Sequence, residues 1–356
     1  MSLPESQPDR PEGHDQGRPA MTDLERRYAR WTALFYPADY RRTRGSELVD
    51  TYLSLAAPDR RRPSPADIAD LAAGGLRQRL RTAPGLGPGF RLAGLLALTT
   101  TSALASGWAI FEALAPTVFR SRYAGPFMSL GVAAWAVWLL TAVVYVVAPG
   151  RWFRRLAVLA VLVTAGVVPA AMLTGIPRPP LIVLLPQLVL GIVAVGAATR
   201  HRRRVRLTPL AAAALTMPVT VAAELRLNFY GDYYLPAATA LPAAGATLLI
   251  GATLLALGLA ARHDSRGLWA LLILLTPIGM LALNPLGAMF DDAGPGRPLI
   301  PEWSAVAAAA VLVAAAGPAL LTLAIAATGR RSASGRSLPA AGAHCPTCGA
   351  PSNSAV

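Results

Sequence analysis

Between Phe90 and Thr328 the chain is almost continuously apolar, and the polar residues that interrupt it gather in short stretches. In hydrocarbon no water is at hand to satisfy backbone amides, so only helices and closed barrels are tolerated there. The apolar segments run to about 20 residues, the length of a spanning helix. They lack the period-two alternation of barrel strands. Eight such helices need about 160 residues, and we place them at 90–111, 126–148, 156–176, 181–198, 208–224, 236–261, 268–290 and 303–328. Composition agrees: 54% of the residues are hydrophobic and 15% charged, against about 25% charged in ordinary soluble domains. Mean hydropathy is +0.45. The expected fold is all-α: a polytopic helical membrane bundle of about eight transmembrane helices, with a small N-terminal helical cytoplasmic domain.

The charge pattern predicts how such a bundle threads. Net charge is +14, and every basic residue is Arg. The gaps after the second, fourth and sixth spans hold Arg151, Arg154 and Arg155, then Arg200, Arg202, Arg203, Arg204 and Arg206, then Arg262 and Arg266. The other gaps are poorer, with Arg120 and Arg122, Arg178, Arg226 and Arg297. Arg330, Arg331 and Arg336 follow the last span. The positive-inside tendency puts the Arg-rich loops and both termini in the cytoplasm, which requires an even number of crossings. Six of the seven acids after residue 90, Glu112 among them, fall at or near the opposite ends. The run Asn228 to Tyr234, with four aromatic rings, suits the headgroup level.

Ahead of the bundle, residues 1–21 are expected to be a disordered N-terminal segment without the apolar core of a signal peptide. Residues 22–82 read as three helices. Thr22 and Glu25 form a capping box, and Tyr36-Pro37 ends the first helix. A second covers about 38–56, with Tyr40, Leu48, Tyr52 and Leu55 facing inward. Ser64-Pro65 opens the third, Ser as N-cap and Pro at the first helical position. Ile68, Leu71, Ala72, Leu76 and Leu80 recur along it at helical spacing, and Gly74-Gly75 weakens its middle. Residues 83–89 read as a linker, 90–328 as the transmembrane domain, and 329–356 as a disordered cytoplasmic tail.

Few residues carry chemistry. No ionisable side chain sits near the centre of a span, which argues against an ion pump. Gln187 and Asn284 are the polar groups at depth that could line a cavity; interhelical hydrogen bonding is the plainer role. Pro169 and Pro277 are cavity candidates because a proline frees a carbonyl in its helix. Both open the pattern P-x-x-M-L-x-x-x-P (169–177 and 277–285), an offset that would fit a duplicated four-helix unit. In the tail, Cys345 and Cys348 with His344 have the spacing of half a zinc knuckle, so zinc is the one cofactor suggested, and no second Cys pair follows. The four His residues lie outside the spans and compose no catalytic set. Arg60–Arg62 and the arginines at 77, 79 and 81 lie near the membrane, where anionic headgroups explain them; nucleic acid is not expected.

The stretch Leu34-Phe35-Tyr36-Pro37-Ala38-Asp39-Tyr40-Arg41-Arg42-Thr43-Arg44-Gly45-Ser46-Glu47-Leu48 resembles the short cytoplasmic prefix segments ahead of some bacterial permease-like proteins. It is also similar to actinobacterial multi-pass membrane proteins of unknown function, where a comparable Tyr-Pro, Tyr-Arg, Gly-x-Glu pattern precedes the membrane part. The resemblance covers residues 22–82 at most and brings no catalytic residue. It implies a bacterial inner-membrane protein with permease-like character. Two functions follow as expectations. One is a carrier or transport accessory for an uncharged or amphipathic compound. The other is a signalling or interaction protein whose residues 22–82 bind a cytoplasmic partner. Membrane lipids are partners in either case.

Overall fold

A computed structural model gives the architecture and describes residues 22–57, 60–82, 85–114, 129–197, 202–226, 234–290 and 301–334. The expected disordered segment 1–21, most of the tail with its Cys pair, and the aromatic run 228–233 lie outside the described residues. All regular structure among the described residues is helical. The chain divides into two compact units, residues 1–79 and 80–356.

The first unit contains α1 (Asp23–Phe35), α2 (Ala38–Leu55) and most of α3 (Pro65–Thr82). The Thr22–Glu25 capping box forms as the sequence predicts. A second box opens α3: Ser64 Oγ accepts from the Asp67 amide at 3.1 Å, and Asp67 Oδ2 accepts from the Ser64 amide at 2.9 Å. Tyr28, Tyr36, Val49 and Leu71 form the core. Tyr28 and Tyr52 stack at 5.5 Å, and their hydroxyls donate to Asp67 at 2.8 Å and Asp70 at 2.5 Å. The Gly74-Gly75 pair is a point of close approach. A Cβ on Gly75 would lie 2.7 Å from Phe35 Cβ, and one on Gly74 would strike the Tyr36 hydroxyl. Leu55, expected to face inward, is 76% exposed, because it closes the last turn of α2 beyond the tyrosine layer.

The second unit holds α4 (Leu86–Ala113), α5 (Gly131–Val147), α6 (Arg151–Thr174), α7 (Leu181–Ala194), α8 (Arg203–Arg206), α9 (Thr208–Arg226), α10 (Ala237–Ala260), α11 (Arg266–Leu281), α12 (Leu283–Gly287) and α13 (Trp303–Ser334). Apolar helices stand at every predicted span, making this an all-α polytopic membrane bundle. Four of them, α4, α6, α10 and α13, are long and apolar enough to cross a membrane by themselves. The others are shorter: the 17, 14 and 16 residues of α5, α7 and α11 give about 26, 21 and 24 Å at 1.5 Å per residue, against about 30 Å of hydrocarbon.

The stretch read as a linker is helical from Leu86. Gly85 caps α4 in the left-handed region at φ +84°. Pro88 falls in the first turn, where its missing N–H has no partner to lose. Gly89 lets α4 press against α11: a Cβ there would lie 2.5 Å from Trp269 Cβ and 2.9 Å from the Arg266 carbonyl.

Helix α4 is the axis of the bundle, packed on α5, α7, α9 and α11. Its apolar window is 56% buried, against 22% in α6, α10 and α13. Those three turn Leu162, Leu254 and Leu312 outward, as a helix facing lipid does. Packed helices that follow one another in the chain, such as α5 and α6 or α10 and α11, run antiparallel, so the helix ends fall into two sets. The start of α4 meets the end of α7 at Gly94 and Ala197 and the start of α11 at Gly89 and Arg266. Tyr145 near the end of α5 stacks on Phe153 near the start of α6 at 4.8 Å. These ends carry Arg91, Arg151, Arg154, Arg155, Arg202, Arg203, Arg204, Arg206, Arg262 and Arg266. The opposite set joins the end of α4, the starts of α5 and α10, and the connection before α7, and it carries Glu112 and Arg178.

Pro169, Pro186, Pro218, Pro242, Pro277 and Pro318 all lie inside continuous helices. The seventh predicted span is broken at Ala282, between α11 and α12. The duplicated four-helix unit is not matched either. Met172 and Leu173 are 77% and 88% exposed, whereas their counterparts Met280 and Leu281 are 4% and 1%. In the first half α4 to α7 pack in sequence; in the second, α9 leaves its neighbours to pack chiefly on α4.

Candidate functional site

The densest polar chemistry in the bundle is at the last turn of α4. Glu112 is fully buried. Three neutral donors converge on its Oε1: Ser129 Oγ at 2.9 Å, Trp135 Nε1 at 3.0 Å and Tyr234 OH at 2.8 Å. Its other oxygen, Oε2, is buried with no hydrogen-bond partner among the described residues. Among the described residues the carboxyl takes part in no ion pair.

Local structure fixes each donor. Ser129 sits just before α5, where its hydroxyl also accepts from the Gly131 amide at 3.0 Å. The next amide, Leu130, donates to the Pro177 carbonyl at 3.0 Å and ties the start of α5 to the α6–α7 connection. Gly131 is required by crowding: a Cβ there would lie 2.5 Å from Pro179 Cγ and 2.9 Å from Glu112 Oε1. Trp135 stands one turn further along α5 and is fully buried. Tyr234 arrives at the start of α10, and its ring leans on Trp108 at 5.7 Å and Phe111 at 6.1 Å. Trp108 and Phe111 meet edge to face at 5.6 Å.

The same two rings wall a cavity of about 300 Å³ between α4, α9 and α10. Its other walls are Ala103, Leu104 and Gly107 on α4, Val219 and Ala223 on α9, and Ala240 and Ala244 on α10; Thr100, Thr216 and Thr220 add hydroxyls. Thr216 and Thr220 spend those hydroxyls on the Ala212 and Thr216 carbonyls of their own helix, at 2.8 and 3.0 Å. The cavity exists because α9 clings to α4, through Ser106 Oγ donating to the Ala213 carbonyl at 2.9 Å, and makes little contact with α10. It opens sideways, past Val219, which is 67% exposed. A second hollow, beside Trp152 and Leu159, is a surface feature of α5 and α6. Arg151 and Arg155 lie over the Trp152 ring at 5.7 and 5.5 Å.

The residues singled out in the sequence lie elsewhere. Gln187 Nε2 donates to the Thr101 carbonyl at 3.2 Å, and Asn284 Nδ2 to the Ala238 carbonyl at 3.3 Å. Both are interhelical ties, and neither lines the α4–α9–α10 cavity. Pro277 is buried in α11 and Pro169 is exposed on α6; they also lie outside it. His344, Cys345 and Cys348 fall outside the described residues.

Sequence reasoning missed the Glu112 site. Glu112 counted only as an acid near an outer span end, and its partners lie 17, 23 and 122 residues away. The signal available was its setting, Ile110-Phe111-Glu112-Ala113-Leu114, where a lone acid is flanked by apolar residues only. No protein-family model matches the chain, and neither a curated protein nor a solved structure matches it.

Proposed function

We propose that this protein is a permease-like carrier or transport accessory that takes an uncharged or amphipathic compound into the groove between α4, α9 and α10. The observation that carries this reading is the groove itself. It is apolar, about 300 Å³, and open sideways on the face where α9 and α10 part. A volume at the lower end of ordinary ligand sites with threonines between apolar walls suits an alkyl chain or a small amphiphile. The bundle is placed in a bacterial cytoplasmic membrane with eight crossings, the short helices reaching the surface through their flanking turns. The Arg-bearing ends face the cytoplasm, and Trp152 between two arginines marks the headgroup level.

The test is direct. The purified chain in lipid nanodiscs is titrated with a neutral alkyl probe, dodecanol, against empty nanodiscs. Saturable binding that Ala103→Trp removes is expected, since that ring would fill the groove. Equal binding by Ala103→Trp would overturn the reading. Orientation is checked by a cysteine placed beside Arg203 in intact cells, which a membrane-impermeant reagent should leave unlabelled.

A further inference from the structure

The groove reading leaves Glu112 unexplained, and its geometry extends that reading. A buried carboxyl is costly in a low-dielectric interior unless paired and hydrogen-bonded. Among the described residues three donors reach one oxygen and none the other. An acid with one oxygen clamped and the other bare is held still with an acceptor to spare.

The surroundings of that acceptor are specific. Trp108 lies one turn before Glu112 on α4, so the two side chains are neighbours. Tyr234 spans the short distance between them: its hydroxyl bonds Glu112, and its ring leans on Trp108 and Phe111. The carboxyl therefore shares Tyr234 with Trp108 and Phe111, the two rings that wall the groove. Aromatic faces attract a cation, more strongly where water is excluded. A carboxyl adjoining them, with no ion pair among the described residues, completes an environment for one positive headgroup.

We propose that the groove and Glu112 form one site for an amphipathic cation: an alkylammonium headgroup held by Glu112 Oε2 and the Trp108–Phe111–Tyr234 rings, with its apolar tail along α9 and α10. The proposal rests on the groove reading above and narrows its ligand class. Trp108 and Tyr234 shift to admit the headgroup, and the ammonium N–H then donates to Oε2.

The test uses the full chain in phosphatidylcholine nanodiscs, corrected against empty ones, and three probes: dodecylammonium, dodecyltrimethylammonium and dodecanol. Dodecylammonium is expected to bind about ten-fold more tightly than dodecanol, the worth of one charge-assisted hydrogen bond, with the trimethyl compound between them. Glu112→Gln keeps a carbonyl oxygen for the three donors, so the fold and dodecanol binding stay, and the ten-fold preference goes. Trp108→Leu, a second variant that leaves the carboxyl in place, weakens both cations more than it weakens dodecanol. Equal binding of dodecylammonium and dodecanol, or a preference unchanged in Glu112→Gln, would overturn the cation site while the groove reading stands. Binding of none of the three probes would overturn both.

Discussion

The two units of this chain bury polar groups by opposite means. In the N-terminal unit, tyrosines send their hydroxyls outward to aspartates at the rim: Tyr28 to Asp67 and Tyr52 to Asp70. Water stands by at that rim, so each bond is replaceable. In the membrane bundle the polar groups face inward. Glu112, Thr164 and Gln187 are all at least 99% buried, and their alternatives to the native partner are few. The lesson concerns the environment on the outside. Where it is water, an apolar face must be hidden and polar tips can show; where it is lipid, the interior is the only refuge for polarity, and small residues bring the backbones together there.

The strongest way to break this contrast is Glu112→Leu. It strands the Ser129 and Tyr234 hydroxyls and the Trp135 indole N–H in an interior that has no water to offer. At about 1–3 kcal/mol for each orphaned buried donor, a loss of roughly 3 kcal/mol or more is expected, read as a lower unfolding midpoint in detergent. Glu112→Gln should lose little. If Glu112→Leu unfolds with the wild type, the buried network contributes nothing and the contrast fails.

Next in size is Gly94→Val. A Cβ at Gly94 would run into the Ala197 amide and lie 2.7 Å from the Gly196 carbonyl carbon. Backbone cannot turn aside as a side chain can, so overpacking of about 2–3 kcal/mol is expected. Gly107→Ala is the control. Its Cβ would meet only the Thr216 methyl at 3.2 Å and Thr220 Oγ1 at 3.3 Å, which can give way, and its cost should stay under about 1 kcal/mol.

Such sites show why some of the molecule was legible in the sequence and some was not. The helices were legible because their determinants are local. The capping boxes at Thr22 and Ser64 and the stop at Tyr36-Pro37 need only a few adjacent residues, and lipid-facing hydropathy is summed over about 20. The facing of residues within the bundle was not legible, because in lipid an apolar side chain is at home on either side. Met172 and Met280 occupy the same place in one motif, yet one is exposed and the other buried. The site was least legible of all. Glu112, Ser129, Trp135 and Tyr234 meet only after three helices have packed, and nothing in a linear pattern of charge announces that an acid near a span end points inward. Gln187 and Asn284 drew attention because polarity at depth is visible in sequence, whereas their use as ties to the Thr101 and Ala238 carbonyls is not.

A matched pair of deletions sharpens the comparison at lower energy. Trp138→Phe removes the 3.0 Å bond from Nε1 to Thr164 Oγ1 between α5 and α6. Tyr28→Phe removes the bond to Asp67 in the first unit. Each should cost about 1 kcal/mol, with Trp138→Phe nearer the roughly 0.6 kcal/mol average of interhelical bonds in membranes, because Thr164 retains the Ala160 carbonyl at 2.7 Å. A loss several times larger for Trp138→Phe than for Tyr28→Phe would mean that one lipid-shielded bond outweighs its rim counterpart.

The smallest expected effect is a pH dependence confined to the first unit, and its sign follows from the same rim. The Ser64 amide, then the Tyr28 hydroxyl, with Arg60 adding its charge, hold the Asp67 carboxyl below the usual carboxylate range. The folded unit therefore releases that proton more readily than the unfolded chain, whose aspartates titrate near pH 3.9. Its contribution is complete above about pH 4 and is lost as pH falls through the lower folded value. Burial, then the bond to Asp70, pushes the Tyr52 hydroxyl up, and burial raises Tyr28 and Tyr36 as well. For these groups the contribution is complete below about pH 10 and is lost as pH rises beyond it. Thermal unfolding of the first unit, followed in the full chain through a fluorophore attached at a cysteine replacing Ser54, should hold a plateau from about pH 5 to 9 and fall at both ends. Asp67→Asn should lower the plateau and flatten the acid arm, while Tyr52→Phe should lower the plateau and flatten the alkaline arm. An acid arm of unchanged depth in Asp67→Asn would show that the tyrosine–aspartate rim does not carry the unit's response to acid.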